Sequence, residues 1–255
     1  MDEALKLAQS SDSTKVESGF QKLGTLFEKG TSQQRAVARQ VLREILLHND
    51  KAYNRKQAAW ALFRRFEETY PLLIQALDQE ETDLVVGIIQ LLQTHPEKPA
   101  VVRSIHKLLD HHSYKVRTTA ADAVVGMYQA TGDIAGLASL LGVYENDLSA
   151  NAAIKLTVMG RKVVPELIDI VKTSSDASQR HGAALVLAMV CGGTTPKQEK
   201  FADLALVKAM IEMPGPPDRR AVEPLIDALL HDESEMVREI AAQGLGYLGD
   251  AQAAP

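Results

Sequence analysis

Few residues in this chain are suited to chemistry, and their spacing decides what they could do. His106, His111 and His112, with Asp110 beside them, bring three imidazoles and a carboxylate into one short stretch. These are donor types that a transition metal accepts. On a continuous helix, residues five apart diverge by more than a quarter turn, and His111-His112 falls in a predicted turn, where imidazoles are solvated. Cys191 is the single cysteine, so an internal disulfide and a Cys-rich metal site are both excluded. It follows the apolar run Leu185-Val186-Leu187-Ala188-Met189-Val190, where a free thiol behaves as a small core residue. Phosphate-cradling G-x-x-x-x-G-K-[ST] and zinc-binding H-E-x-x-H are missing from the sequence, and no G-x-G-x-x-G opens a βα unit. The expectation is a chain with no catalytic residue, no metal ligand and no cofactor.

Charge carries more information. Between Thr31 and Phe66 stand eight basic residues (Arg35, Arg39, Arg43, Lys51, Arg55, Lys56, Arg64, Arg65) against Glu44 and Asp50 alone. From Asp218 to Asp250 the balance reverses, with Arg219, Arg220 and Arg238 facing eight acids. Arg35, Arg39 and Arg43 recur every four residues and line one helical face with little acidic pairing. Tyr53 and Trp60 add rings that could stack on a base or anchor a partner. Arg35, Arg39, Arg43, Arg55 and Trp60 are therefore the candidate partner-binding residues. The plainer reading is a solvated face, with Arg64 and Arg65 complementing a helix carboxyl end.

Composition bounds the possibilities. Apolar residues make up 45% of the 255, charged residues 24% and aromatics only 5%, so Leu, Ile, Val and Ala must build the core. A net charge of −5 gives no global attraction to nucleic acid or anionic membranes. The opening Met1-Asp2-Glu3-Ala4-Leu5-Lys6 lacks a basic stretch followed by an apolar run, and no apolar run reaches the roughly 20 residues that span a bilayer. A cytoplasmic protein without membrane contact is expected.

The elements that must position these residues emerge from self-similarity. Pro71-Leu72-Leu73-Ile74, Pro165-Glu166-Leu167-Ile168 and Pro224-Leu225-Ile226 read alike. Followed along the chain, the marker recurs as Ile74, Ile105, Leu137, Ile168 and Ile226, every 31 or 32 residues until a last step of 58. An apolar column follows three residues later and one apolar at four of five positions follows at eleven, with Gln179 the exception; a mostly small column follows at fifteen (Ile89, Ala120, Ala152, Ala183, Ala241). Apolar spacing of three and four predicts two amphipathic helices per unit, a short first helix and a longer second one. Pro71, Pro165 and Pro224 are expected in the first turn of first helices. Gly30-Thr31, Gly132-Asp133 and Gly249-Asp250 mark a helix end followed by an N-cap. A lone unit could not bury its stripe, whereas stacked units share one core.

Ala221-Val222-Glu223-Pro224-Leu225-Ile226-Asp227-Ala228-Leu229-Leu230, Val237-Arg238, Ala241-Ala242 and Gly244-Leu245-Gly246-Tyr247-Leu248-Gly249-Asp250 together resemble a HEAT-like repeat of the phycobilin-lyase type. Val116-Arg117-Thr118-Thr119-Ala120-Ala121 repeats its second-helix opening. The resemblance implies an all-α solenoid of about seven two-helix repeats. It also implies a polar ladder between a turn Asp and an early Arg of the second helix. Asp232 with Arg238 fits that ladder, and Arg117 and Arg180 match its Arg column, but His111 and Ser174 stand where the Asp belongs. HEAT-like hydroxylases hold iron through His-Glu pairs, and no His-Glu dipeptide is present.

The resemblance is good over 70–191 and 218–250 and looser over 1–69, where helices are expected near 2–9, 13–28, 31–48 and 54–68. Residues 192–217 interrupt it as an insertion with an amphipathic helix of its own. A further first helix is due after Asp250, so the chain is expected to be a truncated solenoid or to have that end covered. The function expected is a non-catalytic scaffold binding a protein on its curved surface. The alternatives are nucleic-acid or polyanion binding by the basic repeats, and lyase-like chromophore handling.

Overall fold

The computed structural model describes residues 2–10, 12–143, 148–192 and 217–249. The helix expected within the 192–217 insertion, and Asp250 as an N-cap, lie outside the described residues. Every regular element among those described is helical.

The chain divides into two compact units, Met1–Met127 and Tyr128–Pro255. The first holds α1 (Asp2–Ala8), α2 (Ser13–Lys29), α3 (Ser32–His48), α4 (Ala52–Phe63), α5 (Phe66–Gln75), α6 (Thr82–Leu92), α7 (Pro99–His106) and most of α8 (Tyr114–Thr131). The second holds α9 (Ile134–Ala138), α10 (Leu148–Met159), α11 (Val164–Thr173), α12 (Ala177–Cys191), α13 (Val222–His231) and α14 (Glu235–Leu248). Odd-numbered helices are the first members of pairs and even-numbered ones the second. Within each unit, second helices lie side by side: α2 on α4 and α4 on α6, then α10 on α12 and α12 on α14. Each unit is thus an α-solenoid of HEAT-like helix pairs.

Burial follows the columns closely. The column at fifteen (Ile89, Ala120, Ala152, Ala183 and Ala241) is fully shielded, and Val124, Leu156, Leu187 and Leu245 four residues on are equally buried. Small side chains at this point let second helices approach, so that the larger ones beside them interdigitate. The marker column is uneven: Ile105 and Leu137 are fully buried, but the other three are less deep. Leu73, Leu167 and Leu225, each one residue earlier, reach zero exposure, whereas Ile74, Ile168 and Ile226 stay half-buried. Closest of all is α1 against α2, where a Cβ on Gly19 would collide with the backbone of Ala8.

The amino-terminal helices depart from expectation at one point. Residues 54–68 do not form one helix; the chain breaks at Arg64-Arg65 between α4 and α5. Thr69 explains the break. Its buried hydroxyl donates to the carbonyls of Leu62 at 2.8 Å and Arg65 at 3.1 Å, fixing the end of α4 and the start of α5. Pro71 consequently lies inside α5 instead of in its first turn. Pro165 and Pro224 fall in the first turns of α11 and α13, and Pro99 opens α7. Thr31 and Gln34 form a reciprocal capping box at α3. Gly132 and Gly249 take the left-handed conformation that ends a helix, at φ 69° and 63°. Asp133 then caps α9 by accepting the Gly136 N–H at 2.8 Å.

One bond closes the ring around the insertion. The Asp218 N–H donates to the Cys191 carbonyl at 2.8 Å, so the two described ends on either side of the insertion meet at nearly one point. The Cys191 thiol itself is buried, and burial pushes its pKa up to about 12.

Candidate functional site

The arginines fall into two groups with different work. Arg35, Arg55, Arg117, Arg180 and Arg238 each occupy the fourth residue of a helix: α3, α4, α8, α12 and α14. A cation there opposes the helix dipole, so each needs acceptors of its own. Four reach back to the preceding turn. Arg35 donates to the Gly30 carbonyl at 2.9 Å, Arg117 to His111 at 2.8 Å, Arg180 to Ser174 at 2.9 Å and Arg238 to Asp232 at 2.8 Å.

Among the described residues, Arg180 and Arg55 reach forward, into the turn of the following pair. Arg180 meets the Asp232 carboxylate through Nε at 2.8 Å and a terminal nitrogen at 2.9 Å, with both side chains almost entirely buried. Arg180 holds the Asp232 carboxyl below the usual carboxylate range. The expected Asp232–Arg238 pairing is corrected accordingly. Asp232 gives its carboxylate to Arg180, and Arg238 receives only its backbone carbonyl. Arg55 behaves alike: it is 7% exposed, donates to Gln79 Oε1 at 2.9 Å and is ion-paired with Glu81. As a surface residue awaiting a partner Arg55 is therefore also corrected, because it is a rung between turns.

The remaining candidates line two grooves of the first unit that share no residue. In the first, Arg39, Gln40 and Arg43 of α3 face Pro71, Leu72 and Gln75 of α5. Arg39 lends one nitrogen to the Glu68 carbonyl at 3.3 Å. The stripe is less free of acid than its sequence suggested. Arg65, and behind it Arg39 and Arg35, hold the Glu68 carboxyl below its ordinary pKa. In the second groove, Gln57, Trp60, Ala61, Phe63 and Arg64 meet Phe20 and Gln21 of α2. Trp60 is 50% exposed, and Tyr53, two turns earlier on α4, is 46% exposed. Arg64 pairs with the Glu28 carboxylate at 3.3 Å, and Arg65 donates to the Glu28 carbonyl at the end of α2. The amides Gln40, Gln57 and Gln75 were not singled out from the sequence, since an isolated glutamine carries no signal until its helix neighbours are known.

The histidines do not converge. Among the described residues no group of three His, Cys, Asp or Glu side chains is placed to hold a metal ion. His111 stacks beside His112 with ring centroids 4.1 Å apart and accepts the Ser113 N–H at 3.0 Å; burial keeps its pKa below the ordinary value. No described helix is long and apolar enough to cross a membrane.

No protein-family model matches the chain, and no curated protein does. Solved structures of low similarity exist. An engineered protein aligns at 18% identity and TM-score 0.29 over 97% of this chain and 96% of its own. Human deoxyhypusine hydroxylase in complex with glycerol aligns at 18% identity and TM-score 0.32 over 94% of this chain and 88% of its own. The karyopherin Kap121p, bound to the extreme C-terminus of the protein phosphatase Cdc14p, aligns at 18% identity and TM-score 0.43 over 96% of this chain and 29% of its own.

Proposed function

We propose that this chain is a non-catalytic cytoplasmic scaffold that binds a protein partner through its amino-terminal unit. The observation that carries this reading is Trp60. A half-exposed indole on the rim of a groove, with Phe20, Phe63, Gln57 and Arg64 around it, offers a rigid apolar anchor bordered by polar donors. Trp, Tyr and Arg dominate the binding energy of protein interfaces because they bury large area at little entropic cost. Tyr53 and Lys56 extend the face along α4, and no acidic side chain lines the groove.

The test is affinity capture from native lysate, with and without nuclease, using the wild-type chain and Trp60→Ala. A stoichiometric protein that survives nuclease and is lost on Trp60→Ala is the expected result. Truncation of a hot-spot tryptophan costs about 2 kcal/mol or more, roughly a 30-fold loss of affinity. Partners that vanish with nuclease would instead favour the polyanion reading. A protein partner indifferent to Trp60 would move the interface elsewhere.

A further inference from the structure

We propose that the groove between α3 and α5 is a second docking site, and that it takes an acidic peptide segment whose carboxylate is flanked by an aliphatic side chain. The proposal rests on the scaffold reading and names the chemistry of one partner segment.

Three features of the groove point to this ligand. Arg39 and Arg43, one helical turn apart on α3, both line it. Arg43 is exposed and makes no hydrogen bond or ion pair to another described residue, whereas Arg39 gives only one nitrogen to Glu68. Two guanidinium groups so placed match the planar, two-oxygen geometry of a carboxylate. Pro71 gives the opposite wall an exposed apolar surface, backed by Leu72, which is 9% exposed. An aliphatic side chain next to the carboxylate would cover that wall. The exposed amides of Gln40 and Gln75 supply donors and acceptors for the peptide backbone.

The same surroundings disfavour a nucleic acid. No ring lines the groove for a base to stack on. Glu67 and Glu68 stand at the start of α5, both exposed, and Glu68 is held in its charged form. A phosphate backbone, with a charge about every 3.4 Å of strand, would be repelled there, whereas a single carboxylate between Arg39 and Arg43 is not forced past them.

The experiment is fluorescence anisotropy with the full chain and a labelled decapeptide carrying a Leu-Glu-Leu core and no other acidic side chain, beside the same peptide with Gln for Glu. The acidic peptide is expected to bind at least tenfold tighter than its amide counterpart and to weaken as salt rises. Arg43→Glu, an exposed change whose helicity is checked by circular dichroism, should weaken it at least fivefold, and Arg39→Gln should act in the same direction. Trp60→Ala should leave it unchanged, which separates this groove from the indole site. Unchanged affinity in Arg43→Glu overturns the proposal, and so does oligo(dT) displacing the peptide at lower concentration. Concentration-dependent self-association abolished by Arg43→Glu also overturns it, by making a second copy the occupant. Loss of peptide binding in Trp60→Ala would assign the peptide to the other groove. If the lysate partner is captured through Trp60 but the peptide fails, the scaffold reading stands and this groove does not.

Discussion

Replacing Asp232 by Ala removes one half of a buried ion pair, and its cost can be worked from the contacts. The side chains of Arg180 and Asp232 are 8% and 7% exposed, so neither charge is hydrated when its partner is lost. Breaking such a pair generally costs about 3–5 kcal/mol, since an uncompensated charge is left behind. Arg180 would retain its bond to the Ser174 carbonyl, and Glu233 stands 3.6 Å away as an exposed substitute. The loss should therefore fall at the low end, about 3 kcal/mol. Asp232 also accepts the Ser234 N–H at 2.9 Å, so its removal loosens the start of α14 as well. Urea unfolding followed by ellipticity at 222 nm measures the loss.

The informative control is the double variant Arg180→Met with Asp232→Leu, in which both charges go and apolar volume replaces them. It should recover most of the stability, because a buried pair exchanged for hydrophobic residues is often close to neutral. Acid supplies a second check. The Asp232 pKa is lowered in the folded protein, mainly by the Arg180 bond. Its contribution is thus fully present above the unfolded carboxylate value of about 3.9 and is lost as pH falls through the lower folded value. Asp232→Ala should flatten that part of the acid limb. A loss below about 1 kcal/mol, the range of an exposed pair, or a double variant no better than the worse single one, would refute the reasoning.

Further outcomes follow from the same packing. Ala183→Leu adds volume at a fully buried helix contact and should destabilise by about 1–3 kcal/mol; an unchanged melting temperature would mean the small column does not set helix approach. Gly126 faces open space on α8, so Gly126→Ala should raise stability by about 0.5–1 kcal/mol, whereas Gly19→Ala, which meets the Ala8 backbone, should lower the urea midpoint sharply. Burial lowers the His181 pKa, so the unfolded chain takes up that proton first as pH falls below about 6.5. Stability should decline from pH 7 towards 5, and His181→Leu should lessen the decline in urea midpoints measured across that range.

The columns of the repeat were legible because each depends only on spacing within one helix: Ala120, Ala183 and Ala241 needed no knowledge of neighbours. The break at Arg64-Arg65 was not, since two good helix formers mark it and the cause, the Thr69 hydroxyl, acts across it. The arginine rungs were half legible. Their position four residues into a helix is a sequence regularity, but the forward reach of Arg55 to Glu81 and of Arg180 to Asp232 belongs to contacts between pairs. The candidate residues divided for a similar reason. Arg39 and Trp60 are close in sequence, yet α3 turns one towards α5 and α4 turns the other towards α2. Their likeness as exposed, interface-prone side chains did not reveal that they line different grooves.

The hydrogen bond from Asp218 to the Cys191 carbonyl has a consequence for how this chain can lengthen. Arg180 and Asp232 are 52 residues apart, whereas Thr82 and Ser113 bridge adjacent turns at 31, and the neighbouring turns meet all the same. The points of departure and return are clasped, so repeats on either side keep their register whatever length of chain runs between them. Closing a loop twice as long costs only about 0.6 kcal/mol. This junction is therefore a seam where new sequence can be admitted without re-tuning the helices that flank it, and the natural place to graft a reporter or a foreign binding loop.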